Sequence, residues 1–557
     1  MWAWRRGQAS GDRTLKSRQS TVDSRQSSVD SRYQPTAGTG RSAALVALGI
    51  FCSRIAGLVR QRVFAYYFGL QSDAADAFMA AFRIPNFLQN LFGEGALSAS
   101  FIPIYATLLA RDEREAASRV AGAVAALLGL VTAVLVLIGV FTTPLLIAAI
   151  APGFVGAKRD LTVALVRILF PGAGLLVLSA WCLGILNSHH RFLVSYTAPV
   201  LWNVAMIATL VAFGAQADLP RLAWILAWGS VVGSALQFGV QVPVVRRLEP
   251  DLKLVLDRSS EHVRTVVTNF VPVFVSRGVV QISAYIDALL ASLLPTGAVT
   301  GLANAQLLYT LPVSLFGMSV SAAELPTMSG AAGLAATDAL RQRLNAGLRQ
   351  IAFFVVPSAV AFLALGDVVA AALLQTGRFT HEDAVYVWAI LAGSAVGLLA
   401  STMGRLYSSA YYALRDTRTP LRYAALRVAL TTALGYMCAI LLPPLIGIAP
   451  RWGTAGLTAS AGLAGWIEFA LLRRTLNRRL GPTGLPASLL VRLWVSALAA
   501  ASLAWAVKQS VPSSSPIILA VLVLGPYGLA FFGAALLSRV AEAHIVLAQL
   551  QRRLAGR

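Results

Sequence analysis

Apolar runs long enough to cross a membrane follow one another almost without interruption after Arg41, and this feature limits the chain to a membrane fold. A helix needs roughly 20 apolar residues to cross the hydrocarbon core of a bilayer. Hydrophobic residues make up 57% of the 557 positions and charged residues 13%. A soluble domain carries about 25% charged residues, so a soluble fold is excluded.

The lengths of these runs predict an all-α polytopic membrane protein of about fourteen transmembrane helices, arranged as two six-helix lobes plus two C-terminal helices. An even number of spans places both termini on the same side of the membrane. The predicted spans are 42–66, 75–106, 118–150, 161–187, 194–214, 221–244, 266–294, 301–323, 349–375, 384–412, 424–443, 454–472, 488–507 and 516–537.

Lysine and arginine are concentrated in alternate connections, which predicts the orientation of the chain. The rich connections carry Arg111, Arg114 and Arg119, then Arg191, then Arg246, Arg247, Lys253, Arg258 and Arg264, then Arg341, Arg343 and Arg349, then Arg415, Arg418 and Arg422, and then Arg473, Arg474, Arg478 and Arg479. The positive-inside rule assigns this side to the cytoplasm, with both termini there. It also accounts for most of the net charge of +22 without a nucleic-acid partner.

The chain divides into five predicted segments. Residues 1–40 are polar and repetitive (SRQSTVDSRQSSVDSRYQ from Ser17), and they predict a disordered basic cytoplasmic tail with no signal peptide. Two short basic turns, LNSHHRF from Leu186 and LRDTRTP from Leu414, lie 228 residues apart and favour two similar lobes. The remaining predicted segments are an N-lobe at 41–248, a C-lobe at 249–480, two further helices at 481–540 and a basic cytoplasmic tail at 541–557.

The cysteines and histidines give no sign of catalysis or of a cofactor. Cys52, Cys182 and Cys438 lie far apart in apolar runs, without the spacing of a disulfide framework or a metal site. No set of histidine, carboxylate and nucleophile is apparent. We therefore expect no metal, no cofactor and no enzymatic activity.

The first span contains two arginines on either side of a glycine. Arg54 and Arg60 each lie three residues from Gly57, about 60° to either side of it on an ideal helix. Glycine lets a bulky ligand approach the backbone there. We expect both arginines to face a cavity, although Arg60 and Arg62 snorkelling to one interface is an alternative.

The second span carries a polar stripe on an otherwise apolar helix. Its members lie within about 80° of Asp76 on an ideal helix: Asp76, Arg83, Asn86, Asn90 and Glu94. A charge in mid-membrane costs at least ~2.5 kcal/mol, so such a stripe needs water, a ligand or a partner helix. An ion-pair network of Asp76 or Glu94 with the first-span arginines is the alternative, and both can hold together.

The seventh span adds Arg277 and Gln281, which are four residues apart and share a helix face. A cavity with several arginines and few carboxylates suits an anionic ligand, since guanidinium binds phosphate in a bidentate fashion. A lipid with a diphosphate headgroup is such a ligand. An ion pair of Arg277 with a carboxylate on another span, such as Glu94 or Asp76, is the alternative.

Several long motifs, in order, resemble one transporter family. SRIAGLVRQRVFAYYFG, DAADAFMAAFRIPNFLQNLFGEGALSASFIPIY, GILNSHHRFLVSYTAPVLWN, PVSLFGMSVSAAELP, LLQTGRFTHEDA and SSAYYALRDTRTP resemble segments of the MurJ (MviN) lipid II flippases. These belong to the multidrug/oligosaccharidyl-lipid/polysaccharide exporter superfamily. The resemblance covers roughly 42–479, and the last two spans match only by position and hydropathy.

The resemblance implies a flippase that moves a polyprenyl-diphosphate-linked peptidoglycan precursor, lipid II, from the cytoplasmic to the periplasmic leaflet of a bacterial inner membrane by alternating access. It implies a cationic cavity lined by spans one, two, seven and eight, and a groove at spans thirteen and fourteen for the lipid tail. Membrane lipids and the cell-wall synthesis machinery are the implied partners. An exporter of another polyprenyl-linked glycan, a membrane glycosyltransferase or phosphatase, and a non-transporting scaffold are the alternatives.

The family's functional positions fall on residues already singled out: Arg54, Arg60, Asp76, Arg83, Asn86 and Glu94. The chain also departs from the family pattern. Gln61 stands where an aspartate is common, Gln89 and Asn90 replace an arginine pair, and Leu307 replaces a cavity arginine on span eight. Arg277 is an added cation on the neighbouring span, and we expect it to compensate for Leu307.

Overall fold

The computed structural model describes residues 37–92, 97, 100–256, 260–333, 336–511 and 515–554, and most of these residues lie in helices. The helices of the first half are α1 (Ala37–Phe68), α2 (Asp73–Phe92), α3 (Ile102–Ala110), α4 (Arg114–Ile150), α5 (Gly156–Ser188), α6 (Phe192–Phe213) and α7 (Leu219–Leu248). Those of the second half are α8 (Glu261–Ser292), α9 (Ala298–Pro312), α10 (Ser319–Gly333), α11 (Thr337–Leu374), α12 (His381–Val396), α13 (Leu398–Ala413), α14 (Arg418–Tyr436), α15 (Leu442–Leu445), α16 (Gly453–Leu480), α17 (Ala487–Ser510), α18 (Pro516–Leu537) and α19 (Ala541–Leu554).

The lengths and composition of these helices are those of a multi-pass membrane protein. Within the described residues, ten helical segments are long and apolar enough to cross a bilayer, and the bent pair α12 and α13 makes an eleventh. The other three long helices, α1, α2 and α8, contain the arginines and carboxylates that the sequence singled out. Intramembrane charges lower the hydropathy of a span, and the count of fourteen spans stays a prediction.

The helices pack mainly against others of the same half of the chain. In the first half α2 packs on α5, α5 on α7, and α6 on both α1 and α7. In the second half α12 packs on α11 and α16, and α14 and α13 pack on α16. The last two spans, α17 and α18, pack on each other and on α11. The assignment of two six-helix lobes stays a prediction.

Two spans of the second half contain irregular turns. α9 continues into α10 through a π-helical segment, Val313–Met318, and α14 continues into α15 through another, Met437–Leu441. The bend of 43° between α12 and α13 occurs at Gly397, where a Cβ would lie 2.4 Å from Cα of Gly462. Only glycine permits so close an approach of two helices, so this bend is fixed by packing.

The two halves meet at the arginine-poor end of the molecule. The carbonyl of Tyr66, near the end of α1, accepts a 2.9 Å hydrogen bond from the backbone N–H of Arg378. Beside it, Arg62 Nη1 donates to the carbonyl of Ala372 at 2.6 Å. Gln71 Nε2 donates to Oδ1 of Asp383, the residue that completes the capping box of α12, at 3.1 Å. This end of the molecule is therefore closed.

Candidate functional site

Arg60 lies half-buried between α1, α2 and α6, against two aromatic rings. Its guanidinium carbon is 5.3 Å from the ring centroid of Phe82 and 5.0 Å from that of Trp202. The two rings stack at 5.5 Å with 11° between their planes. Among the described residues no carboxylate lies within ion-pair distance of this guanidinium. Cation–π contacts hold the charge without neutralising it, so it stays available to an anion.

Arg54 and Gly57 lie on the same helix but in different surroundings. Arg54 is exposed, whereas Gly57 is partly buried against α6. A Cβ on Gly57 would lie 4.0 Å from Oδ1 of Asn203, a buried oxygen with no hydrogen-bond partner among the described residues. The side of Gly57 that lacks a side chain thus faces α6, next to the Oδ1 acceptor of Asn203. The structure places Arg60 in the helix packing and leaves Arg54 outside it.

The polar stripe of α2 is divided among different neighbours. Asp76 is 1% exposed and contacts α5 and the start of α9. Arg83 contacts α9 through its Nη2, which donates to Oε1 of Gln306 at 2.9 Å. Asn86 is half-buried, Asn90 is exposed, and Glu94 lies outside the described residues. The ion partner of Asp76 is Lys158, and no first-span arginine pairs with it in the described part of the chain.

The α8 side of the site is described only in part. The side chains of Arg277 and Gln281 lie outside the described residues, so their predicted role in binding stays a prediction. Tyr285 OH donates to the backbone carbonyl of Arg83 at 2.7 Å, which joins α8 to α2. Gln306 is the residue before Leu307, so Arg83 brings a positive charge close to the position where the resembling family keeps an arginine.

A polar contact joins α1 to α9. It lies at a level between Arg60 and the arginine-poor end of the molecule. Gln61 Nε2 donates to Oδ1 of Asn304 at 2.7 Å, and both residues are buried. Gln61 is one of the departures noted in the sequence. An amide pair satisfies both side chains here without placing a further carboxylate beside Arg60.

An apolar cavity lies next to the last spans. Its volume is about 310 Å³, and it is lined chiefly by aromatic residues of α11 and α18, with Phe316 and Val546 at its margins. Tyr527 OH donates to the carbonyl of Pro357 at 2.6 Å and joins the two helices across the cavity. The cavity thus lies between α18 and α11. The groove for a lipid tail that the resemblance implies between spans thirteen and fourteen stays a prediction.

Sequence reasoning missed the residues that surround the predicted ones. Phe82 directly precedes Arg83, and Trp202 stands in the LWN segment of α6, but no local pattern links either to Arg60. Lys158 stands in an arginine-poor connection, and no local pattern links it to Asp76. No cluster of potential metal ligands occurs among the described residues.

The comparisons with known proteins decide the family. The family described as "Lipid II flippase MurJ" matches residues 64–552. The chain belongs to the MurJ lipid II flippase family. The match spans the Arg83 and Asp76 contacts of α2, the cavity beside α18 and part of the C-terminal helix α19.

Individual MurJ proteins and solved structures agree with this assignment. The chain is 32% identical to the probable lipid II flippase MurJ of Rhizobium tropici over 433 residues, which are 77% of this chain and 79% of the relative. It is also 32% identical to the lipid II flippase MurJ of Burkholderia cenocepacia, over 77% of this chain and 81% of that protein.

Two solved structures share its fold. A structure titled "Lipid II flippase MurJ, inward closed conformation" matches 89% of this chain and 99% of its own, with a TM-score of 0.72 at 23% identity. An inward-facing multidrug transporter of the MATE family, from the MOP superfamily, matches with a TM-score of 0.63 at 15% identity, over 77% of this chain and 95% of its own. The chain therefore shares the fold of these two membrane proteins.

Proposed function

We propose that this protein flips lipid II, a polyprenyl-diphosphate-linked peptidoglycan precursor, from the cytoplasmic to the periplasmic leaflet of the inner membrane by alternating access. Membership of the MurJ family carries the proposal, supported by two relatives named as lipid II flippases at 32% identity. In this orientation both termini and the arginine-rich connections face the cytoplasm. The closed, arginine-poor end then faces the periplasm.

Arg60 is the residue that we assign first to the diphosphate headgroup. An uncompensated charge within a membrane protein is costly unless a ligand or water offsets it, and Arg60 has no carboxylate partner among the described residues. Arg83 is the second candidate, because an uncharged glutamine is its side-chain partner on α9. Arg54, Asn86 and Asn90 complete the proposed surface, and Arg277 and Gln281 extend it along α8.

The cavity between α11 and α18 suits part of the polyprenyl tail. Its lining is almost wholly apolar and aromatic. It can therefore bind the polyprenyl tail through dispersion and burial of apolar surface, and it offers few polar contacts. Its open side lets a tail longer than the cavity continue into the bilayer. The cell-wall synthesis machinery, which uses the flipped precursor, is the proposed protein partner.

Complementation tests the function directly. In a strain depleted of its own lipid II flippase, the full chain is expected to restore growth. Arg60→Ala is expected to abolish growth at unchanged abundance in the membrane, and Arg60→Lys to restore it only in part, because lysine lacks the planar group that stacks on Phe82 and Trp202.

Arg221→Ala is the matched control, since Arg221 is an exposed arginine of the same half, at the start of α7. It should grow like the unmodified chain. Failure of the unmodified, correctly inserted chain to support growth would contradict the function. Normal growth with Arg60→Ala would remove Arg60 from the headgroup site and leave the function standing.

A further inference from the structure

Asp76 caps a helix that belongs to the other half of the chain. The N-cap residue of α9 is Gly297, which has φ +96° and no side chain to cap with. Asp76 Oδ1 accepts hydrogen bonds from the N–H and the hydroxyl of Thr300, at 2.9 and 2.7 Å. Its Oδ2 accepts the N–H of Gly297 at 2.9 Å. The N–H of Thr300 is one that an N-cap aspartate normally binds, so Asp76 on α2 replaces the missing cap.

Lys158, on the first turn of α5, supplies the counter-charge for this carboxylate. Its Nζ lies 2.9 Å from Oδ2 of Asp76 and 3.2 Å from Oδ1 of Asp73, and it sits over the ring of Phe154 at 4.5 Å. Asp73 Oδ1 also accepts the hydroxyl of Thr296 at 2.8 Å. The Asp76 side chain is 1% exposed and that of Lys158 13% exposed, so this pair is held in a largely dry place.

The cluster crosses the boundary between the halves, and Lys158 Nζ itself donates to the hydroxyl of Thr296 at 3.4 Å. Asp73, Asp76 and Lys158 belong to the first half, on α2 and α5, which pack on each other. Thr296, Gly297 and Thr300 belong to the second half. If this end opens, Asp76 loses its three bonds to α9 and keeps Lys158, and the water that enters the cleft then surrounds the pair.

We propose that Lys158 is a gate-positioning residue that holds the arginine-poor end closed. Removing one partner of a buried ion pair leaves an uncompensated charge, whereas the same pair contributes little once water reaches it. Lys158 therefore stabilises the closed state much more than the open state. The proposal rests on the alternating-access part of the proposed function.

The charges around Asp76 agree with this direction. In the closed state two carboxylates and one ammonium face the N-terminus of α9, whose helix dipole adds partial positive charge. Arg451, another cation in an arginine-poor connection, packs on the ring of Trp452 at 4.9 Å. Removing Lys158 leaves two carboxylates facing one helix N-terminus, so their mutual repulsion adds to the cost of closure.

The test is a distance measurement across the closed end, with no substrate present. Spin labels are placed at Gln216→Cys, in the connection between α6 and α7, and at Ile448→Cys, in the connection between α15 and α16. Both positions are exposed, and the native cysteines are replaced by alanine. Pulsed electron–electron double resonance in lipid nanodiscs then gives the populations of molecules with short and with long distances between the two labels.

Lys158→Met is expected to raise the ratio of open to closed molecules at least about tenfold, and Asp76→Asn to raise it in the same direction. Lys158→Arg should restore most of the closed population, because it keeps the charge. Lys508→Met is the matched control. Lys508 pairs with Asp367 at 2.5 Å between α17 and α11, which is also a lysine–aspartate pair near this end but does not join the halves.

The proposal is overturned if Lys158→Met gives the same distance distribution as the unmodified chain, or if Lys508→Met changes it equally. The outcome is separable from that of the function. An unchanged distance distribution together with successful complementation contradicts the proposed role of Lys158 and supports the proposed flippase function. A shifted distance distribution in a chain that fails to complement supports the proposed role of Lys158 and contradicts the proposed flippase function.

Discussion

Single residues in this protein depend on partners that lie far away in the sequence. Arg60 is held by Trp202 on another span, and Asp76 by Thr300 in the other half. Asp416, in the connection before α14, shows the same chemistry with partners both near and far in the sequence. Its Oδ1 accepts the N–H groups of Arg418 and Thr419 at 3.1 and 3.0 Å, and its Oδ2 lies 2.8 Å from Nη1 of Arg479.

The hydrogen bond from the backbone of Thr419, with smaller contributions from the hydroxyl of Thr419 and from Arg479, lowers the pKa of Asp416 to about 2. An aspartate with a depressed pKa stabilises the folded state fully above its unfolded pKa of about 3.9, and this stabilisation is lost as the pH falls towards 2. Asp416→Ala is expected to lower the free energy of unfolding by about 1 kcal/mol at pH 7.

Thermal unfolding in detergent between pH 7 and pH 2 measures this effect. The difference between the unmodified chain and Asp416→Ala should shrink between about pH 4 and pH 2. Asp338→Ala is the control, because Asp338 pairs with Arg341 at 2.8 Å and is 78% exposed, so its loss should change stability little. A difference that stays constant over this range would contradict the proposed titration.

Helices are joined at their ends by buried polar groups. At the arginine-rich end of the first half, Glu249 follows α7 and accepts the hydroxyl of Tyr105 of α3 at 2.5 Å. It also accepts the hydroxyl of Ser118 of α4, and His189, which follows α5, lies 2.9 Å from the Tyr105 hydroxyl. Four helices therefore depend on one carboxylate that is 5% exposed.

Glu249→Ala is expected to destabilise the first half by about 3 kcal/mol, because it leaves buried hydroxyl groups and a histidine without their acceptor. Thermal unfolding monitored by a fluorescent thiol probe at buried Cys182, on α5, reports on this half. Glu115→Ala, which removes an exposed carboxylate from the first turn of α4, is the control. Equal stability of the two variants would show that the cluster does not hold these helix ends together.

Contacts between the halves close the whole molecule at one end. Tyr66, Gln71, Asp76 and Gln61 of the first half all bond to the second half there or just below. A conformational change that opens this end must break these bonds together. Arg60 and Arg83, which we propose to bind the headgroup, lie on α1 and α2, the helices that also carry these contacts. Under this proposal, ligand binding and gating share one pair of helices.

The membrane potential is expected to favour export by the proposed flippase. The lipid II headgroup carries at least two negative charges by the ordinary ionisation of a diphosphate, and the cell interior is negative. Outward movement of an anion gains about 2.3 kcal/mol per charge per 100 mV if the binding arginines stay largely in place. Flipping in reconstituted vesicles should therefore slow when an ionophore collapses an imposed potential. An unchanged rate would show that charge movement does not drive the cycle.

The class of fold, most spans and the main candidate residues could be predicted from the amino-acid sequence. Apolar run length and the positions of arginine are local properties, so they can be counted along the chain without knowledge of neighbours. The polar stripe of α2 is also local, because helix periodicity places its members within one broad face.

The contacts that each member of that stripe makes follow from the packing of the helices. Asp76 shares the predicted stripe with Arg83, yet it contacts Lys158 and the start of α9 while Arg83 contacts Gln306. The bend at Gly397 and the aromatic pair around Arg60 likewise depend on the packing of helices far apart in the sequence. The periodicity of one chain segment does not indicate which distant segment will pack against it. The spans could therefore be predicted from the sequence, whereas the contact partners of each residue could be identified only from the fold.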